Sequence, residues 1–139
     1  MSRDAYTKGM KLRRKVLGDE WVDLAERNKT AFNAEFQELI TRYAWNEIWN
    51  RRGLPRETRR MLVIATMVAL GRWEEFHLHM RAALQSGDLS LDDIKEVLLQ
   101  SAIYCGVPAA NTAFREARTV IEEISAAKNK KKSRKKPAK

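Results

Sequence analysis

Apolar residues recur at three- and four-residue spacings along most of the chain, which is the pattern of helices that bury one face. The apolar run from Met61 predicts a helix from Pro55 to Leu70, and because it is apolar nearly all round, we expect it in the centre of a bundle or at a subunit contact. A second clear stretch predicts a helix over residues 32–48. Its expected buried face comprises Phe32, Phe36, Leu39, Ile40, Tyr43, Ala44, Glu47 and Ile48.

Glycines and capping residues divide the rest of the chain into further helices. Short helices are predicted over residues 5–17 and 19–30, and Gly71 and Gly87 are expected to mark the two ends of another. Ser90, followed by Asp93, resembles a capping box that starts a helix ending near residue 105, and a last helix is predicted over residues 109–126. No alternating stretch of strand length occurs. The sequence therefore predicts an all-α, compact bundle of six or seven helices.

The composition limits the compartment and the class of protein. A length of 139 residues fits a single domain, and the one cysteine, Cys105, excludes an internal disulfide. The first thirty residues contain no signal-like apolar run, and no uncharged apolar stretch reaches about 18 residues. We therefore expect a cytoplasmic protein with no membrane span.

The formal net charge of +9 is concentrated at the C-terminus. The last twelve residues contain eight basic residues and no acidic one, which leaves the rest of the chain nearly neutral. This composition predicts a helical domain over residues 1–127 and a disordered, lysine-rich tail over residues 128–139. The tail can contact nucleic acid or an anionic membrane electrostatically, or be solvated without a role. No specific nucleic-acid partner is predicted.

Both histidines lie in one short predicted helical segment. Glu75 and His79 are four residues apart, so a helix places them side by side, where the carboxylate is expected to raise the imidazole pKa. Such a pair can supply a proton near neutral pH. His77 lies about 200° round the helix from His79 and cannot share its site. The alternative interpretation is a surface ion pair on an amphipathic helix.

A metal site is not predicted. Glu74 and His77 have the spacing of half a carboxylate di-iron site, but that architecture needs a second such motif on another helix. The chain has only two histidines, both on one helix, and a lone Cys105 supplies no thiol cluster for zinc.

Aromatic residues followed by arginines indicate a second candidate site. Arginine forks match carboxylates bidentately, so arginines beside apolar walls can form a pocket for a small organic carboxylate. Core tryptophans beside a solvated basic corner are the alternative. The residues concerned are Tyr43, Trp45, Trp49, Arg51, Arg52, Arg56, Arg59 and Arg60.

Several blocks of sequence closely resemble the γ-carboxymuconolactone decarboxylases. They are residues 9–18, residues 38–54 with the two tryptophans, residues 58–87 with a Glu-Glu-Phe-x-x-His core, and residues 97–114. The resemblance covers about residues 5–125. In the wider alkylhydroperoxidase D-like superfamily a CxxC precedes the helix histidine, but Arg72 and Glu75 stand at those positions before His79. The resemblance therefore does not extend to dithiol chemistry.

The resemblance implies a fold, an assembly and an activity. It implies an alkylhydroperoxidase D-like helical homo-oligomer, commonly a hexamer, that acts in protocatechuate catabolism through the β-ketoadipate route. The implied reaction converts 4-carboxymuconolactone to 3-oxoadipate enol-lactone without a cofactor, because the lactone itself accepts the electrons that decarboxylation releases. The implied catalytic residues are His79 and Glu75. The candidates for substrate binding are Arg51, Arg56, Arg60, Arg72, Trp45, Trp49 and Tyr43.

Two other hypotheses remain open from the sequence. One is a non-catalytic helical protein that binds an anionic partner, and the other is a paralogous decarboxylase with a different substrate.

Overall fold

The computed structural model describes residues 3–135, which form seven α-helices and no strand. The all-α prediction is confirmed. Helix α3 continues without a break into a π-helical segment, Thr41–Ile48. The helices are α1 (Arg3–Leu17), α2 (Asp19–Arg27), α3 (Ala34–Ile40), α4 (Arg56–Leu70), α5 (Trp73–Ser86), α6 (Leu91–Tyr104) and α7 (Val107–Lys135).

The predicted helix ends are formed by local backbone chemistry. Gly71 and Gly87 end α4 and α5 with φ of 68° and 81°, a left-handed conformation that glycine adopts without steric cost. Ser90 Oγ accepts the Asp93 N–H at 3.1 Å, and the Ser90 N–H donates to the Asp93 carboxylate at 2.9 Å. This reciprocal pair is the predicted capping box at the start of α6.

The buried side chains form two clusters. The main core cluster lies between α4, α5, α6 and α7 and is centred on residues such as Ile64, Phe76 and Met80, all fully buried. The second cluster, here called the N-terminal cluster, joins α1 and α2 to the π-helical segment. Its buried members are Leu12, Val16, Leu17, Val22 and Trp45, and Met10, Trp49 and Leu78 pack against it.

Helix α1 lies unusually close to the π-helical segment, and Gly9 permits this approach. A Cβ at position 9 would lie 2.0 Å from the Thr41 carbonyl oxygen and 2.9 Å from its carbon. Gly9 is buried, and the obstructing atoms are backbone atoms that cannot rotate away. Only glycine therefore fits where α1 crosses the start of the π-helical segment.

The predicted buried face of residues 32–48 is wrong for a single chain. Phe32 is 99% exposed, and Phe36, Leu39 and Tyr43 are also exposed; we call these four residues the α3 apolar face. The side chains that are buried in this region belong to Thr41 and Trp45. The periodicity correctly indicated an apolar surface, but no other part of the described chain covers it.

Helix α4 shows a similar division. Ile64 and Val68 are buried in the main core cluster, whereas Leu62 and Leu70 are exposed. The helix is thus central to the bundle on one side and uncovered on the other. The predicted central position is confirmed for the first side, and the predicted alternative, a subunit contact, stays a prediction.

Helix α7 extends beyond the predicted end of the domain. Residues 128–135, predicted as disordered, form its last two turns, and residues 136–139 lie outside the described residues. Every side chain from Ser125 to Lys135 is exposed, so burial does not stabilise this extension. Lysine and arginine are good helix formers, and positive charge is favourable at a helix C-terminus, which explains the helical conformation.

Within residues 3–135, no helix is both long enough and apolar enough to cross a membrane.

Candidate active site

The two tryptophans of the site lie within the π-helical segment (Trp45) and directly after its end (Trp49). Trp45 is 8% exposed and belongs to the N-terminal cluster, and Trp49 packs against the same cluster. Their rings stack with centroids 5.3 Å apart and planes inclined by 30°. Wide π-helical turns are frequent at functional sites. Here the rings of Trp45 and Trp49 together form an aromatic wall beside α1 and α5.

His79, on α5, extends this aromatic wall. Its ring lies nearly parallel to that of Trp49, with centroids 6.4 Å apart and an interplanar angle of 8°. His79 Nδ1 is buried and makes no hydrogen bond within the described residues. The structure thus joins three of the predicted site residues, Trp45, Trp49 and His79, in one stack.

The electrostatic environment of His79 differs from the predicted one. Burial, with a smaller contribution from the positive charge of Arg60, lowers the pKa of His79 to about 4, and the negative charge of Glu75 only partly opposes this shift. The predicted rise in pKa is therefore wrong. His79 is a neutral imidazole near pH 7 in the unliganded protein.

Glu75 pairs with Arg72 instead of His79. Arg72 Nη2 donates to Glu75 Oε1 at 2.8 Å, and this hydrogen bond holds the pKa of the Glu75 carboxyl below its usual value. No hydrogen bond between Glu75 and His79 is among the described contacts. A guanidinium three residues away is a stronger partner for a carboxylate than a neutral imidazole. Trp49, rather than Glu75, fixes the plane of the His79 ring.

Arg60 is the predicted arginine that lies deepest. Its side chain is fully buried, its Nε donates to Asp88 Oδ2 at 2.8 Å, and its Nη1 donates to the Val16 carbonyl at 2.9 Å. Its Nη2 has no partner in the described residues. The bond to Val16 places Arg60 at the edge of the N-terminal cluster, close enough to His79 to affect its pKa. Sequence reasoning missed Asp88, which is 28 positions away from Arg60.

No described contact joins the remaining predicted binding residues to this stack. Tyr43 is 61% exposed and belongs to the α3 apolar face, and Arg51 is exposed beyond the end of the π-helical segment. Arg56 is half-buried at the start of α4. No described hydrogen bond joins these three residues to His79 or to the tryptophans. Their role in substrate binding stays a prediction.

The second histidine has a structural partner that sequence reasoning missed. His77 Nε2 lies 2.5 Å from Glu116 Oε2, and both side chains are half-buried between α5 and α7. This contact joins α5 to α7 on a face of α5 that differs from the face carrying His79. Among the described residues, no group of three or more His, Cys, Asp or Glu side chains could hold a metal ion.

Comparison with known proteins supplies the context for this site. Residues 34–119, which include Trp45, Arg60 and His79, match the pattern of the carboxymuconolactone decarboxylase family. A protein of Acinetobacter baylyi (strain ATCC 33305 / BD413 / ADP1) named 4-carboxymuconolactone decarboxylase is 40% identical over 125 residues, which cover 90% of this chain and 92% of that protein. The chain belongs to the carboxymuconolactone decarboxylase family.

Two further relatives share this family likeness. A nitrosuccinic acid decarboxylase of Metarhizium robertsii (strain ARSEF 23 / ATCC MYA-3075) is 37% identical over 124 residues, which cover 89% of this chain and 86% of that protein. A 4-carboxymuconolactone decarboxylase of Pseudomonas putida is 50% identical over 42 residues, 30% of this chain and 88% of that sequence. The family resemblance seen in the sequence is confirmed. This member of the carboxymuconolactone decarboxylase family is a carboxy-lyase.

Proposed function

We propose that the protein decarboxylates 4-carboxymuconolactone to 3-oxoadipate enol-lactone, a step of protocatechuate catabolism in the cytoplasm. The observation that carries this proposal is the 40% identity, over nearly the whole length of both chains, to a protein named for this activity. The stack of Trp45, Trp49 and His79, with buried Arg60 beside it, supports the proposal because it combines a flat apolar wall with a cation and a titratable group.

The chemistry of this substrate needs no cofactor. The departing carboxylate is on the ring carbon that also carries an acetate side chain and the ring oxygen. When carbon dioxide leaves, its bonding electrons delocalise through the ring alkene onto the lactone carbonyl, which forms an oxyfuran-like dienolate. The protein has to orient the ring, stabilise the oxygen that gains charge and deliver one proton to carbon.

In this proposal His79 delivers the proton. The neutral imidazole of the free protein is a poor acid, but a bound dianion favours the charged form and raises the pKa of His79. Substrate binding and protonation of His79 are therefore coupled. Glu75 acts at a distance, since its charge also favours protonated His79 while its carboxylate is bound to Arg72.

The tryptophans and arginines take the binding roles. In this proposal Trp45 and Trp49 form the wall for the lactone ring. Arg72, which is exposed and paired with Glu75, attracts a carboxylate of the substrate. Arg51, Arg56 and Tyr43 remain candidates for binding the substrate at the outer edge of the site. No metal ion or cofactor has a part in the proposed reaction, and the partner molecules are the lactone substrate and further copies of the chain.

We propose that the chain assembles as a homo-oligomer. The family resemblance implies that this oligomer is commonly a hexamer. The uncovered α3 apolar face supports assembly, because contiguous exposed apolar surface on a helix favours a protein contact. The face continues directly into the segment that contains Trp45 and ends next to Trp49, so a second copy bound there would lie beside the site.

The test is direct turnover of the lactone. Purified protein mixed with 4-carboxymuconolactone is expected to consume the ultraviolet absorbance of the unsaturated lactone and release one carbon dioxide per molecule, with chelator present. A protein that binds the lactone without release of carbon dioxide would contradict the proposal and favour the binding-protein hypothesis.

A second candidate substrate has its own support. The relative named nitrosuccinic acid decarboxylase aligns with 89% of this chain at 37% identity, only slightly less than the first relative. Nitrosuccinic acid also carries an electron-accepting group and a carboxylate on one carbon, with a CH2-carboxylate beside it. The ratio of kcat/KM values for the two compounds, measured side by side, decides between them.

A further inference from the structure

Two of the buried polar atoms that lack a partner among the described residues belong to the candidate site. They are Arg60 Nη2 and His79 Nδ1. A buried polar group without a hydrogen bond costs about 1–3 kcal/mol, so native proteins rarely leave one unsatisfied without a reason. A shared anionic ligand would satisfy both atoms when Nδ1 carries an imidazole proton and so acts as a donor.

The guanidinium of Arg60 is fixed before any ligand arrives. Asp88 and the Val16 carbonyl hold two of its three nitrogens at 2.8 and 2.9 Å, and the side chain is fully buried. Of the three nitrogens, Nη2 has no partner among the described residues. The His79 ring is likewise held in one plane by its stacking on Trp49. The two donors are therefore preorganised on helices α4 and α5, which pack against each other.

We propose that Arg60 Nη2 and His79 Nδ1 form an oxyanion site that stabilises the acceptor oxygen of the substrate, and that this site does not hold the departing carboxylate. The inference deepens the proposed function, since it assigns a role to the two donors in that reaction. It also defines a substrate class. In these carboxylates, the carbon that loses carbon dioxide becomes a carbanion whose electron pair delocalises onto an oxygen of an acceptor group, such as a lactone carbonyl or a nitro group.

The direction of charge movement supports the acceptor oxygen. The departing carboxylate loses its negative charge as the carbon–carbon bond breaks, so a fixed cation beside it would stabilise the ground state more than the transition state. The acceptor oxygen gains that charge. A buried, preoriented cation beside the acceptor oxygen stabilises the transition state and needs no reorganisation during the reaction.

The step is balanced without a further reactant. The bond between the substituted carbon and the carboxylate carbon breaks, its electron pair moves onto the acceptor oxygen, and carbon dioxide leaves. The pair then returns to carbon as His79 delivers one proton. In the lactone this proton is added to the ring carbon next to the carbonyl, and the alkene shifts to the carbon that lost carbon dioxide. The net change is the loss of carbon dioxide and the gain of one proton.

The test compares two ligands that differ by one proton. In 3-nitropropanoate the nitro group is neutral, whereas in propanoate 3-nitronate the nitro oxygens carry the negative charge that the acceptor bears after carbon dioxide has left. Calorimetry on the full-length wild-type protein is expected to show that the nitronate binds at least about 10²-fold more tightly, as analogues of reactive intermediates do. Equal affinities would overturn the oxyanion site.

Variants assign this preference to the two donors. His79→Gln is expected to reduce the nitronate preference by at least tenfold and to leave 3-nitropropanoate binding nearly unchanged. Arg60→Lys should do the same, but because Arg60 is buried, its folding is checked by circular dichroism. Arg118→Gln, which removes an exposed arginine of α7, is the matched control and should bind like the wild type. A preference that survives in His79→Gln would also contradict the assignment.

The binding measurement is independent of turnover. If 4-carboxymuconolactone is consumed but the nitronate binds no more tightly than the nitro compound, the oxyanion site is wrong and the proposed function stands. If the nitronate is strongly preferred but the lactone is not consumed, the proposed substrate is wrong and the oxyanion site stands.

Discussion

The imidazole of His79 is oriented by an aromatic ring and not by a carboxylate. Stacking on Trp49 fixes the plane of the ring but adds no charge, so burial and Arg60 determine its protonation. The result is a histidine that is neutral in the free protein and that, in our proposal, takes up a proton when the anionic substrate binds. This behaviour suits a group that must take up a proton with the substrate and then release it to carbon.

The two histidines are expected to have different functions. His79→Ala should lower kcat by roughly 10²–10⁴-fold, the usual contribution of a general acid, with the fold intact. His77→Ala removes the contact with Glu116 and should reduce the midpoint of urea unfolding, with little effect on kcat. Steady-state assays and urea titrations of both variants measure the difference. Equal, modest losses of kcat in the two variants would exclude His79 as the proton donor.

The low pKa of His79 makes stability depend on pH. In the unfolded chain this histidine titrates near 6.5, whereas in the folded protein it titrates near 4. As the pH falls from 6.5 to 4, the unfolded state binds a proton that the folded state does not, so stability decreases, by an amount on the order of 3 kcal/mol. Above pH 6.5 this contribution is constant. The free energy of unfolding measured with urea should differ less between pH 7.5 and pH 4.5 in His79→Gln than in the wild type. An equal difference in both proteins would contradict the assignment.

At the scale of elements, the π-helical segment depends on its contact with α1. Gly9 brings the backbone of α1 against Thr41, and the segment that begins at Thr41 contains Trp45 and is followed directly by Trp49. The packing of the N-terminal helix thus determines where Trp45 and Trp49 lie. A change in α1 is expected to affect the aromatic wall although α1 supplies none of its rings.

Gly9→Ala tests this dependence. The new methyl group would overlap the Thr41 carbonyl, so α1 must move away, and we expect a loss of about 3 kcal/mol in the free energy of unfolding together with reduced turnover. Gly53→Ala is the control, because a Cβ there meets nothing within 4 Å and the residue has no positive φ. Urea unfolding followed by tryptophan fluorescence measures both variants. Equal stability of the two would show that α1 adapts without cost.

Sequence predicted the parts of these elements that depend on local chemistry. Glycine caps and the Ser90–Asp93 pair act within a few residues, so the helix ends could be predicted. The π-helical geometry could not, because it arises where α1 crosses Thr41. The bond from Arg60 to Val16 joins residues 44 positions apart and has no local signal either. By contrast, the pairing of Arg72 with Glu75 follows from their spacing of three residues and was available to sequence reasoning.

At the scale of the whole molecule, a single chain leaves apolar surface uncovered. The α3 apolar face has no partner among the described residues, and Ile103 and Tyr104, at the end of α6, are also strongly exposed. Surface of this kind favours association of copies. The sequence pattern predicted that these apolar residues of the α3 apolar face lie inside the fold. In our proposal they are buried between copies of the chain.

Removal of two side chains of the α3 apolar face should dissociate the assembly. We expect Phe36→Ser with Leu39→Ser to reduce the mass measured by light scattering to that of a smaller species, while circular dichroism stays unchanged because neither residue is buried in the single chain. Glu122→Ser, on the exposed side of α7, is the control and should assemble like the wild type. An unchanged mass in the double variant would show that this face is not a subunit contact.

Deletion of residues 128–139 should leave the fold and turnover unchanged. The described part of this segment is helical but fully exposed, so its loss uncovers no core. The deletion removes eight positive charges and should abolish any weak, salt-dependent affinity for DNA. Turnover assays and binding to a DNA fragment at two salt concentrations measure this. Loss of assembly in the truncated protein would show that the extension has a structural role.

The bond between Arg60 and the Val16 carbonyl has a consequence for folding. The main core cluster is formed by α4 to α7, a continuous stretch of chain, whereas the N-terminal cluster is formed chiefly by α1, α2 and the π-helical segment. Because the two clusters are built from different stretches of chain, each can act as a separate cooperative unit, and Arg60 lies at their boundary in the candidate site. Local opening of the N-terminal unit would then abolish activity while the amides of α4 to α7 remain protected from hydrogen exchange. Mild heating or low denaturant should therefore yield a population that is inactive yet mostly folded and that regains activity when α1 docks again.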